Sequence, residues 1–219
     1  MHHSRQLTAV ESRTCLEEAN DMAASIPYPA QVDFHGDAHI TRWRPLVQWL
    51  LAIPQLVVAS ALRTVRQILI LFSLFTVLFT KRIPRSLFDM ITMSYRYEWR
   101  AVSYALFMHE DYPPFDFQPA SNDDGVEPHT TLAIDYPEEL DRWKPLYKWI
   151  LAIPHYVVLL FLAIGAVVAT VAGLIMVVIT GEYPQGIRDF LVGVYRWALR
   201  VEAYVGLLTD AYPPFRLTA

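Results

Sequence analysis

The residues whose types and spacing suit chemistry fall on two matched stretches. Asp89, Arg96, Arg100 and Tyr104 recur 100 positions later as Asp189, Arg196, Arg200 and Tyr204. At about 100° per residue each set falls within roughly 80° of arc, one stripe along a helix. Arg96 with Arg100, and Arg196 with Arg200, stand one turn apart. Such a pair of guanidinium forks suits a phosphate or a lipid headgroup. The competing reading is structural, with the arginines pairing with Asp89 or Asp189 and capping carbonyls around a Tyr-Pro-Pro-Phe turn. A further basic group, Lys81, Arg82 and Arg85, sits at the foot of an apolar segment. Clusters of this kind attract anionic lipid by about 1 kcal/mol per residue and also serve as a topology signal. These seven basic residues are the headgroup-binding candidates, and Asp89, Tyr104, Asp189 and Tyr204 form a structural polar stripe.

Other chemistry finds little support. His35 and His39 have an i, i+4 spacing, but Gly36 between them argues against one helix face. No second ligand pair has metal spacing, so no metal site is expected. Glu110, Asp111 and Asp116 form an acidic patch that reads as solvated surface. Cys15 is the only cysteine and has no activating neighbour. There is no nucleophile elbow, P-loop or dinucleotide fingerprint. The expectation is a non-enzyme without cofactor. A net charge of -4 gives no footprint for nucleic acid.

The chain that must position these residues has 219 of them, 54% hydrophobic and only 18% charged, with a mean hydropathy of +0.25. That balance excludes disorder and points to a membrane protein. The first 29 residues are polar and lack the apolar core of a signal peptide. The strongest feature is a gapless duplication. Arg42-Trp43-Arg44-Pro45-Leu46 recurs as Arg142-Trp143-Lys144-Pro145-Leu146, and Ala52-Ile53-Pro54 as Ala152-Ile153-Pro154. Tyr112-Pro113-Pro114-Phe115 recurs as Tyr212-Pro213-Pro214-Phe215, and 25 of 74 aligned positions are identical. The predicted organisation is a tail (1–29), repeat one (30–118), a turn-rich linker (119–129) and repeat two (130–219).

These motifs, with Tyr183-Pro184-Gln185-Gly186, resemble an uncharacterised bacterial membrane-protein family, domain of unknown function 4389, in two tandem copies. Repeat two is the better match. Repeat one departs from it at Arg82-Ile83-Pro84-Arg85 and at Arg63 and Arg66, which interrupt its apolar run. The resemblance implies a membrane location and no activity.

The fold class expected is a mainly α membrane protein. Each repeat is predicted to hold a short strand (Gln31–Phe34; Leu132–Tyr136) and an apolar run (46–80; 146–180). An amphipathic surface helix (86–110; 186–210) and a short extended tail (115–117; 215–217) follow. Each apolar run is 35 residues, about 52 Å as one helix against a hydrocarbon core of about 30 Å. One reading bends it at Pro54 into a single span over 55–80. The favoured reading folds it into a helical hairpin turning near 62–66 and 162–166, which puts Arg63 and Arg66 at the tip rather than mid-bilayer. The tails are expected to pair with the strands in a small sheet at the base. An even number of crossings then separates them, and the repeats are related by a pseudo-twofold along the membrane normal. Basic residues at the hairpin feet (Arg42, Arg44, Lys81, Arg82, Arg85, Arg142, Lys144, Lys148, Arg188) put the base and both termini in the cytoplasm, at the inner membrane. The expected role is an accessory or scaffold subunit of a larger membrane complex. The alternatives are an anionic-lipid-binding or membrane-shaping protein, and a small transporter or channel.

Overall fold

The computed structural model describes residues 27–36, 39–120, 123 and 125–218. Residues 1–26 of the polar tail, with Cys15, and Asn122 and Asp124 of the linker lie outside the described residues. The chain forms β1 (Ala30–Phe34), α1 (Arg44–Thr80), α2 (Arg85–Ala105) and β2 (Thr130–Ile134). A 3-10 turn (Lys144–Leu146), α3 (Lys148–Leu151), α4 (Ile153–Thr180) and α5 (Gln185–Val205) complete it.

The expected hairpins do not form. α1 runs unbroken through 62–66 and α4 through 162–166, with Gly165 helical. A turn would expose backbone groups that a continuous helix satisfies, and Arg63 and Arg66 have partners that let them stay mid-helix. Repeat one does not bend into a separate segment over 55–80 either, because α1 is one helix of 37 residues that runs on through Pro54. Repeat two breaks at the matching place and restarts as α4 with Pro154 in its first turn. There the missing proline N–H is not needed. Both helices end on a left-handed residue, Lys81 (φ 60) and Gly181 (φ 80), whose N–H returns to the carbonyl of Val77 and Val177.

The buried face of α1 carries Gln48, Ala52, Gln55, Ala59, Arg66 and Ser73, while Leu50, Val57, Phe72, Phe75 and Phe79 are exposed. This inverts the arrangement of a water-facing amphipathic helix. α4 buries only His155, Gly173 and Val177. Both helices are long and apolar enough to cross a membrane.

The surface helices of the sequence reading are instead the middle of the molecule. α2 buries Phe88, Ile91, Tyr95 and Trp99, and with them Arg96, Glu98 and Arg100. Its two sides are covered by different layers. Ser94, Tyr97, Glu98 and Ala101 face α1. Arg96, Trp99 and Arg100, on the opposite arc, face the strands and linker. α5 repeats this, with Trp197 and Val201 toward α4 and Arg196 toward β1. Charges that read as solvent-facing meet partners from distant segments. Both helices stop at 105 and 205, five residues early. There Phe107 (φ 61) and Leu207 (φ 67) turn left-handed, and Met108 and Leu208 N–H close back on Ser103 and Ala203.

Among the described residues the sheet has two strands, not four. β1 pairs antiparallel with β2, centred on Val32 opposite Leu132. The tails form no strand. Phe117 stacks on Tyr97 at 5.3 Å and Phe215 on His155 at 3.9 Å. With strand and tail unpaired, the even-crossing argument loses its premise. The repeats are also intertwined, because β1 lies on α5 and β2 on α2. Ile40 N–H donates to Gly181 O at 2.8 Å, and its counterpart Leu140 N–H donates to Lys81 O at 2.8 Å.

Candidate functional site

The arginine pairs are occupied by the chain itself. Arg100 meets Asp116 at 3.1 Å and Asp123 at 3.0 Å, and Arg96 reaches Asp123 at 3.7 Å and the Ala120 carbonyl at 2.8 Å. One linker carboxylate therefore stands where the spacing of the arginines suits a phosphate, and its other oxygen accepts Leu132 N–H at 3.2 Å. In repeat two, Arg196 meets Asp33 at 2.7 Å and donates to the carbonyls of Val32 and Leu217. Arg200 donates to Arg216 O, and its guanidinium lies 5.6 Å from the Tyr28 ring. The carboxylates that engage these pairs come from the linker, the tail and β1, not from the stripe. Asp89 sits beside Arg85 at 3.5 Å, and Asp189 is exposed at the rim of a pocket with Arg188 and Arg196. Tyr104 and Tyr204 are buried and stand edge-on to Tyr112 and Tyr212 of the Pro-Pro turns.

Lys81, Arg82 and Arg85 share the turn between α1 and α2 and point outward. Arg82 meets Glu139 at 3.2 Å, and Arg85 also lies over the Tyr136 ring.

The fold creates a charged cluster that the sequence did not assemble. Arg66, 3% exposed in the middle of α1, meets Glu98 of α2 at 2.7 Å and Glu202 of α5 at 3.5 Å. Arg63 also pairs with Glu98, and Arg66 lies 3.7 Å over Tyr95. Arg63, Arg66, Gln67, Tyr156 and Glu202 line a pocket of about 320 Å³ between the repeats. Repeat two carries Ala163, Ala166 and Ala198 at the matching places, and its own pocket, about 370 Å³, is apolar. The duplication thus keeps one geometry and charges one half of it. The available signal was the arginines within an apolar run, together with glutamates off the polar stripe.

The fold brings together His109 and His129, which stand 20 residues apart in the chain. His109 and His129 stack at 4.7 Å, and with Glu127 they bring ligating atoms within 4.8 Å. His129 Nε2 lies 2.7 Å from Asp111 and Nδ1 3.0 Å from the His35 carbonyl, both acceptors. A ring facing two acceptors is suited to the doubly protonated form. Burial pushes His129 down, but Asp111 and the His35 carbonyl outweigh it and its pKa is raised. Burial, then the neighbouring His129, lowers His109 to about 4. The arrangement is a proton-held clamp at the end of α2.

A family model described as a domain of unknown function (DUF4389) matches residues 42–116 and again 142–216. No curated protein and no solved structure matches the chain.

Proposed function

The chain belongs to the DUF4389 family, in two tandem copies, and from that premise we propose that it is a non-catalytic membrane-embedded protein. In this reading it serves as an accessory or scaffold subunit of a larger complex in the bacterial cytoplasmic membrane. The observation that carries it is the inverted face of α1. Glutamines and an arginine point inward while leucines, valines and phenylalanines cover the outside, an arrangement that water penalises and hydrocarbon does not. Among the described residues the arginine pairs of α2 and α5 are engaged by the chain's own carboxylates and carbonyls, which fits a structural role. Basic residues at the helix ends fit a cytoplasmic placement of the polar parts. Purification from native membranes in mild detergent should recover a stoichiometric partner. A lone monomer under gentle conditions would overturn the subunit reading, and recovery in the soluble fraction would overturn the membrane reading.

A second reading, recognition of anionic lipid, is favoured by the outward-facing Lys81, Arg82 and Arg85 on one turn. Replacing all three with Ala should weaken binding to phosphatidylglycerol vesicles by at least tenfold, since each contributes about 1 kcal/mol near the surface. Unchanged binding rejects this reading.

A further inference from the structure

The long helices α1 and α4 run side by side in opposite directions. Pro45, Leu46 and Trp49 at the start of α1 share a pocket with Leu174, Val178 and Ile179 at the end of α4. The backbone bonds 40→181 and 140→81 tie the opposite ends together in matched fashion. Two antiparallel helices exchanged by a twofold have that axis perpendicular to them. The same axis passes through the strand pair, where Val32 faces its own counterpart Leu132. Along it the layers are ordered. The strands and linker come first, then α2 and α5, then α1 and α4.

The outermost layers differ sharply. On the strand side Gln31 and Asp33 are exposed, and the Arg196–Asp33 and Arg100–Asp116 pairs lie there. On the far side Leu50, Val57, Phe72, Leu160, Phe161 and Val168 are exposed.

If α1 and α4 crossed the bilayer, the axis would lie in the membrane plane. The strand pair and its charges would then sit at the depth of the hydrocarbon centre, at about 2.5–3.5 kcal/mol per charge and with unpaired strand edges in lipid. The 37 residues of α1 span about 55 Å, far more than the core of about 30 Å. With the helices parallel to the membrane, the axis is the normal and the strand pair with its ion pairs is in water. A layer one helix thick, about 10 Å, fits within one leaflet of about 15 Å. Trp43, Trp49, Trp143 and Trp149, all more than half exposed, are then amphipathic anchors at the ends of the sunken layer.

We infer that α1 and α4 form an apolar plate that lies in the acyl chains of a single leaflet, so that the chain enters the membrane without crossing it. This rests on the membrane reading and specifies its geometry. It also brings the basic residues at both ends of α1 to the same side without a hairpin.

The test uses the full chain with Cys15→Ser and single cysteines at exposed sites. Glu138→Cys reports the end of α1, Glu182→Cys the end of α4 and Gln31→Cys the strand face. Flotation with liposomes comes first, because a protein that stays at the bottom of the gradient overturns the membrane reading and this inference with it. In native vesicles of known orientation, an impermeant maleimide should label all three sites from the same side. Labelling of Glu138→Cys and Glu182→Cys from opposite sides, with Gln31→Cys protected, means a spanning protein. That result overturns this inference and leaves the membrane reading standing.

Discussion

At the residue scale the duplication supplies its own controls. Arg66 is held by two glutamates in a position where repeat two has Ala166. Removing one partner of a buried ion pair strands the other charge, at about 3–5 kcal/mol, whereas replacing the whole set with apolar groups is often neutral. Arg66→Ala should therefore lower the unfolding temperature in detergent strongly. The combination Arg66→Ala, Glu98→Ala and Glu202→Val, which copies Ala166, Ala198 and Val102, should recover most of the loss. Equal damage from both would show that Arg66 acts through its stem and not its charge. The histidine clamp gives a pH dependence. His109 is neutral in the fold down to about 4, while the unfolded chain binds its proton near 6.5. Stability should therefore fall on acidification across that window. His129, raised by Asp111, works in the opposite sense. Its contribution is present below about 6.5 and is lost as pH rises through the raised value. His109→Gln should flatten the fall in unfolding temperature between pH 6.5 and 4, and His129→Gln should lower the unfolding temperature below pH 6.5 and abolish the loss that the native chain shows as pH rises above it.

At the element scale the two repeats solve one steric problem differently. Where α4 passes the α4–α5 turn, Gly173 lies against Tyr183, and a Cβ there would come within 2.8 Å of the tyrosine ring. Repeat one has Ser73 and Ile83 at the matching positions, both buried. The small residue moved with the large one, as close packing requires. Gly173→Ser should destabilise by about 1–3 kcal/mol, the usual cost of overpacking. Gly173→Ser with Tyr183→Ile, which restores the repeat-one pair, should recover it in a thermal melt. A single substitution that gains stability through helix propensity would refute the clash. Helix boundaries were legible where proline and apolar runs set them. The C-terminal ends of α2 and α5 were not, because Phe107 and Leu207 carry no sequence mark of their left-handed backbone.

At the scale of the whole molecule, intertwining makes each repeat incomplete. β1 covers α5, β2 covers α2, and each repeat's entry segment bonds to the other's exit turn. A chain cut in the linker after Ala120 should remain one particle in detergent, since the noncovalent contacts between halves do the joining. Either half produced alone should aggregate or pair with itself. Two halves that each behave as stable monomers would contradict the arrangement.

Sequence alone determined the duplication, its family, the two apolar runs, and the polar stripe with its one-turn spacing. These follow from local composition and from identity at a fixed offset, which need no knowledge of neighbours. Whether Arg63 and Arg66 sat on a turn or in a helix was decided by Glu98 and Glu202, 32 and 136 residues from Arg66 in the chain. Whether Arg96 and Arg100 met phosphate or carboxylate was decided by the linker that folds back as Asp123. The strands looked for partners within their own repeat and found them across the twofold. In each case the residue's chemistry was visible in advance, but its free energy depended on what lay opposite. That is fixed only when the two repeats close on one another.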